Sequence, residues 1–197
     1  MKHIRLVLLT VVCTMMLSCS GTQCPGFPNA LIDYTPHYPE GEMIFFANTS
    51  DDTMNWTCRN KWIATPSYLE WNNTCCGCSS RIAGQAFLSD QNVMMKIMIC
   101  LESHAFDDYD PGINNLLNSS ISLERMDSNT GPQYLHCRTS PTFVNTDEQD
   151  VQITDQVDTL LFTAENAQII DSVCIVRGQG IVSFYRVDNM SRYHVLR

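Results

Sequence analysis

The sequence predicts an all-β fold, an antiparallel sandwich or barrel stapled by disulfides, with a loop-rich N-terminal part. Three observations carry this expectation. Short runs rich in Val, Ile, Phe, Tyr and Thr recur between turn residues at a spacing of roughly ten residues, the rhythm of a sandwich or barrel. Stretches with the apolar period and capping residues of a helix are scarce. Cysteine supplies 10 of the 197 residues, a usage that suits an extracellular chain held by cross-links.

Taking the elements in order, Lys2 and Arg5 precede an apolar stretch at 6–17 and the small residues Ser18, Ser20 and Gly21. That succession is the pattern of a secretory signal peptide. Cleavage near Ser20 or Gly21 gives a signal peptide, 1–20, and a single secreted cysteine-rich β domain, 21–197. The apolar stretch falls short of the ~20 residues that cross a membrane as a helix, so no transmembrane segment is expected. A lipoprotein signal at Cys19 is the alternative, but Met16 stands where such signals carry Leu.

Pro25, Gly26, Pro28, Pro36, Pro39 and Gly41 mark the start of the mature chain as a loop. Strands are expected at 43–47, 93–101, 120–126, 133–138, 151–154, 159–163, 169–177 and 181–187, with a short last one at 193–196. Gly178-Gln179-Gly180 predicts a hairpin, because two glycines supply the positive φ of a tight loop. The run 93–101 is Val, Ile and Met interrupted by Lys96, which predicts a central strand buried on both faces. Weak helical preference is confined to 65–71 and 163–170. Residues 50–92 show little clean alternation.

Without residues 1–20 the chain keeps eight cysteines: Cys24, Cys58, Cys75, Cys76, Cys78, Cys100, Cys137 and Cys174. An even number in a secreted chain reads as four disulfides, whose connectivity the sequence leaves open. Cys75 and Cys76 are neighbours whose closure into one ring is strained, so each is expected to bond a different partner. Five acceptor sequons, at Asn48, Asn55, Asn72, Asn118 and Asn189, predict N-glycosylation and point to the same compartment.

Twelve basic against 21 acidic side chains give a formal charge of −9, which argues against a nucleic-acid partner. An apolar share of 44% argues against disorder. Cys75, Cys76 and Cys78, with Cys100 and His104, suggest a zinc site on paper, yet an oxidising route takes up such thiols as disulfides and the helix of a redox Cys-x-x-Cys is missing. Asp107, Asp108, Asp110 and Asn114 supply calcium-type oxygens, but Gly112 comes one position early and no closing glutamate follows, so a solvated acidic turn is expected. No metal and no cofactor are expected.

Trp71 after Cys58, with Tyr134 before Cys137, partly resembles the immunoglobulin pattern, but the tyrosine is one residue out of place. A lipocalin-like barrel fits the length and strand number but lacks an early Gly-x-Trp. Neither resemblance is specific enough to assign a family. Nucleophile-elbow, zinc-protease and phosphate-loop motifs are absent, and His37, His104, His136 and His194 stand in no catalytic pattern. The expected function is binding, not catalysis, with an extracellular protein or matrix partner engaged by a patch around Trp56, Trp62 and Tyr68. A carrier enclosing a small apolar ligand is the alternative. A secreted hydrolase, with His104 beside the 107–110 turn, is a further one.

Overall fold

The computed structural model describes residues 27–64, 69–72, 75–78, 81–101, 114–116, 119–145 and 151–196. In chain order the elements are a short helix α1 (Asn29–Ile32), then β1 (Met43–Ala47), β2 (Thr53–Ala64), β3 (Leu69–Asn72), β4 (Cys75–Cys78), β5 (Arg81–Ser89) and β6 (Val93–Leu101). They continue with β7 (Asn114–Asn115), β8 (Ser120–Arg125), β9 (Gln133–Cys137), β10 (Thr142–Asn145) and β11 (Val151–Asp155). The last four are β12 (Thr159–Thr163), β13 (Ile170–Val176), β14 (Gly180–Arg186) and β15 (Ser191–Val195).

Ten of these strands form a closed antiparallel barrel in the order β1-β15-β14-β13-β12-β9-β8-β6-β5-β2. Each barrel strand therefore pairs with the barrel strand that precedes or follows it in the chain. The ring closes where Phe46 and Ala47 of β1 face Val195 and His194 of β15. Closure removes the unpaired edges that an open sheet would present. Of the two expected architectures, the barrel is the one formed. β3 pairs with β4, and β7, β10 and β11 form a small separate sheet, so these strands are excursions from one end of the barrel.

The barrel forms because its strands alternate. Along β6, Val93, Met95, Ile97, Ile99 and Leu101 are buried, while Lys96 is exposed and Met94, Met98 and Cys100 are half-exposed. The strand expected to be covered on both faces is thus covered on one, and its methionines contribute to both. Ile121, Leu123, Leu135, Leu160, Phe162, Val173 and Ile175 extend the same inward surface around the ring. Each such side chain stabilises the fold by about 1.5–3 kcal/mol through removal from water. Irregularities between Cys58 and Asn60, Ile170 and Ser172, and Cys174 and Ile175 sharpen the local twist that closure needs.

The hairpin at 178–180 forms as expected between β13 and β14. Other expectations are corrected. The N-terminal loop contains α1, with Leu31 and Tyr34 fully buried. At 163–170, Thr163 ends β12 and Ile170 begins β13, so no helix forms there. In 65–71, residues 69–71 belong to β3, and 65–68 lie outside the described residues. The region of poor alternation contains β2 and β5, whose pairing is among the longest in the barrel.

The two ends of the barrel differ. One carries the turns at 48–52, 90–92, 126–132, 164–169 and 187–190. The other carries the β13–β14 turn, the excursions that hold β3–β4, β7 and β10–β11, and the segment around α1.

Candidate ligand site in the barrel interior

Met54, Trp56 and Cys58 are buried while Asn55 and Thr57 between them are half-exposed, so these three side chains of β2 point inward. Trp56 is fully buried. Its ring meets Phe184 edge-on at 6.0 Å, and Phe184 packs in turn on Phe46 at 5.0 Å and stacks on Tyr193 at 5.2 Å. The indole Nε1–H donates to nothing: among the described residues it is the one buried side-chain polar atom without a hydrogen-bond partner. An unsatisfied buried donor costs about 1–3 kcal/mol. Trp56 was an expected anchor of an outer patch, and its burial corrects that reading. The side chain of Trp62 is not described, and Tyr68 lies outside the described residues.

Above Trp56, toward the turn end, buried polar side chains satisfy the backbone of the turns. Ser89 Oγ accepts from the amides of Gln91 and Val93. Gln133 Oε1 accepts from the amides of Gln168 and Ile169, and its Nε2 donates to the carbonyl of Ile170. Arg186 forks onto both carboxylate oxygens of Asp188 and donates to Gln91 Oε1 at 2.6 Å. Burial pushes the Asp188 carboxyl up, but the hydrogen bond and charge of Arg186 outweigh it and hold the group below its ordinary range. The Arg186 charge is thereby matched within the fold.

Below Trp56 a strap, residues 27–41, crosses the other mouth. The Tyr34 hydroxyl donates to the carbonyl of Val157 at 2.8 Å, and Gly178 N–H donates to the carbonyl of Asp33. The Tyr38 ring packs edge-on against Phe87 of β5, while its hydroxyl accepts from the amide of Ile181 in β14. Tyr38 therefore joins strands separated by β15, β1 and β2 around the ring. Gln85 is fully buried and binds both the carbonyl of Tyr38 and Cys58 Sγ. Gly180 is required where the strap lands: its φ is +77°, and a Cβ there would collide with the Tyr38 hydroxyl.

Cys58 and Cys137 face inward and are buried, whereas Cys100 and Cys174 are half-exposed on the outer face. No two of these four lie on neighbouring strands, and strands two or more apart are separated by at least about 9 Å, beyond the ~7 Å reach of a bridge. No disulfide joins the described cysteines to one another. While reduced, both are neutral at neutral pH, because burial pushes the Cys137 thiol up to about 11 and also raises Cys58. Cys75, Cys76 and Cys78 lie on β4, their side chains not described; Cys24 lies outside the described residues, as do His104 and the 107–113 turn.

Among the sequons, Asn48 is buried, its Oδ1 accepting from the amides of Ser50 and Asp52 and its Nδ2 donating to Asp52. Asn55 is half-exposed and donates to Asp90, and Asn189 is exposed with Nδ2 donating to the Tyr193 hydroxyl. All three sit toward the turn end. Asn72 ends β3, and Asn118 lies outside the described residues. His136 and His194 are exposed, and His37 Nδ1 is 2.9 Å from Lys61 Nζ at the strap. Burial, then the Lys61 charge, lowers His37 from its ordinary range.

No family model, no curated protein and no solved structure matches this chain. Among the described residues, no helix is long and apolar enough to cross a membrane.

Proposed function

We propose that the protein is a secreted, N-glycosylated carrier that holds a small, largely apolar molecule inside its barrel and performs no catalysis. The observation that carries this reading is the closed ten-strand ring with an apolar inner surface. Eight strands already enclose enough space for side chains or one small ligand, and diameter grows with strand number. The titration of N-phenyl-1-naphthylamine, an uncharged apolar dye, tests it. A saturable rise in emission with one site per chain is expected; its absence overturns the reading.

A second reading, recognition of a protein partner, is favoured by Met43, Phe45 and Leu196. They are 54%, 45% and 53% exposed where β1 meets the chain end, and Leu196 N–H donates to the carbonyl of Phe45. Three such side chains fall within the apolar patches of about 300–600 Å² that ordinary monomers carry, so the interior has the stronger claim.

The disulfide framework belongs to the same proposal. Since the four barrel cysteines are beyond each other's reach, each would pair with one of Cys24, Cys75, Cys76 and Cys78. Peptide mapping without reduction tests this, and a bridge between any two of Cys58, Cys100, Cys137 and Cys174 overturns it.

A further inference from the structure

We propose that the exposed apolar side chains where β1 meets the chain end are covered by the protein's own carbohydrate, an N-linked glycan on Asn55 whose first N-acetylglucosamine lies on the Phe45 ring. The proposal rests on the N-glycosylated reading and gives one of its glycans a place on the surface. Phe45 of β1 is the register partner of Asn55 in β2. Hydrogen bonds from Asn48 N–H to the Asp52 carbonyl and from Cys58 N–H to the Glu42 carbonyl fix the alternation of this ladder. Counting inward from either bond, Phe45 and Asn55 form a pair without mutual hydrogen bonds, the kind whose side chains stand closest, with Cβ atoms about 4.5–5.5 Å apart. Both side chains point outward, since their neighbours Ile44, Phe46, Met54 and Trp56 are buried. Leu196 flanks Phe45 on its other side, its N–H donating to the Phe45 carbonyl, and Met43 pairs with Thr57, the hydroxyl residue of the same sequon.

The amide of Asn55 is set to direct a sugar there. One of its two hydrogens is donated to Asp90 Oδ2 at 3.0 Å. Asp90 follows β5, which lies on the side of β2 opposite β1. In glycosylation Nδ2 forms a bond to C1 of the sugar, the C1–O bond to the donor's lipid diphosphate breaks, the diphosphate leaves and one amide proton is lost. The hydrogen held by Asp90 stays, so the one replaced points away from Asp90, toward Phe45. N-acetylglucosamine suits what it would cover: one ring face carries only C–H groups, which rest on an aromatic face, while its hydroxyls and acetamide remain in water. A protein partner would have to displace this sugar to reach Phe45.

The test uses the mature chain secreted by cultured eukaryotic cells and trimmed to one N-acetylglucosamine per site. Peptide mapping should find the sugar on Asn55. In urea unfolding, Phe45→Ala should lower the folding equilibrium constant roughly fivefold more in the chain that carries this sugar than in Asn55→Gln or Thr57→Val, which lack it, the worth of about 40 Å² of apolar contact. Two routes to the sugar-free chain separate the sugar's effect from what either substitution does to β2. In the wild-type protein, C–H protons of the sugar should show Overhauser contacts to the Phe45 ring. An equal cost of Phe45→Ala with and without the sugar, or no such contacts, overturns the proposal. Sugar at other sequons and none on Asn55 also overturns it while the glycoprotein reading stands, and sugar at no site overturns both.

Discussion

At the turn end of the barrel, Asn48, Ser89 and Gln133 accept hydrogen bonds from backbone amides of the connections beneath which they lie. At the strap end, Leu31, Tyr34 and Tyr38 reach across the mouth to chain more than 100 residues away, as Tyr34 to Val157 and Tyr38 to Ile181 show by their separations of 123 and 143. Turn-end closure is polar and mixes local bonds at Asn48 and Ser89 with longer ones, such as those of Gln133 to 168–170, that tie one turn to the strand end beside it. Strap-end closure depends on a few apolar plugs and long-range hydrogen bonds, and such a segment can open without unpairing the barrel. In the proposed carrier, entry past the strap would follow from that difference, and three perturbations sharpen the comparison of the two ends.

The largest effect is expected from Gly180→Ala. Positive φ costs a non-glycine residue about 1–2 kcal/mol, and the new Cβ displaces a hydroxyl bonded to the Ile181 amide and the Gln179 carbonyl. A loss of about 3 kcal/mol in urea unfolding is expected, with faster hydrogen exchange in 27–41 than at the turn end. Equal acceleration at both ends would make the strap an integral part of the barrel.

Gln133→Ala should cost about 2 kcal/mol, because two amides and a carbonyl lose a buried partner at once. Exchange should rise at 164–169 and not in the strap. An effect on the strap would break the independence of the two ends.

Acid should loosen the strap first. His37 has its pKa depressed in the fold, so its contribution is complete above the ordinary histidine value of 6.5 and is lost as pH falls through the lower folded value. Protonation there sets two cations side by side at His37 and Lys61. Protection factors in 27–41, which correct for the intrinsic pH dependence of exchange, are expected to fall below pH about 6.5, with Lys61→Met reducing the dependence. Asp188 at the turn end has the same sign of linkage but acts only below its ordinary value of 3.8. Simultaneous loosening of both ends near pH 6 would contradict the assignment.

Much of the barrel was legible where a strand keeps its period. β6 and the β13–β14 hairpin announce themselves through alternating or continuous apolar residues and the paired glycines 178 and 180. β2 was hidden because the irregularity between Cys58 and Asn60 shifts its alternation midway. β5 was hidden by Ala83, Gly84, Gln85 and Ala86, small or polar residues that are buried all the same. The candidate site was half legible. Met54, Trp56 and Cys58 form a period of two that marks an inner face, but an aromatic side chain beside sequons also suits a surface anchor. Only the closed ring places Trp56 inside, and no local signal reveals that its donor has no acceptor. Charge pairing between Arg186 and Asp188 was equally invisible, since two residues of spacing say nothing of burial.

Hydrogen exchange of the mature protein with and without N-phenyl-1-naphthylamine tests the central claim most directly. The dye is predicted to slow exchange in β2, β5 and β14 around Trp56, Phe87 and Phe184, and in the strap that closes over them. Protection confined to β1 and 194–196, around Met43, Phe45 and Leu196, would place binding on the outer face and contradict the account.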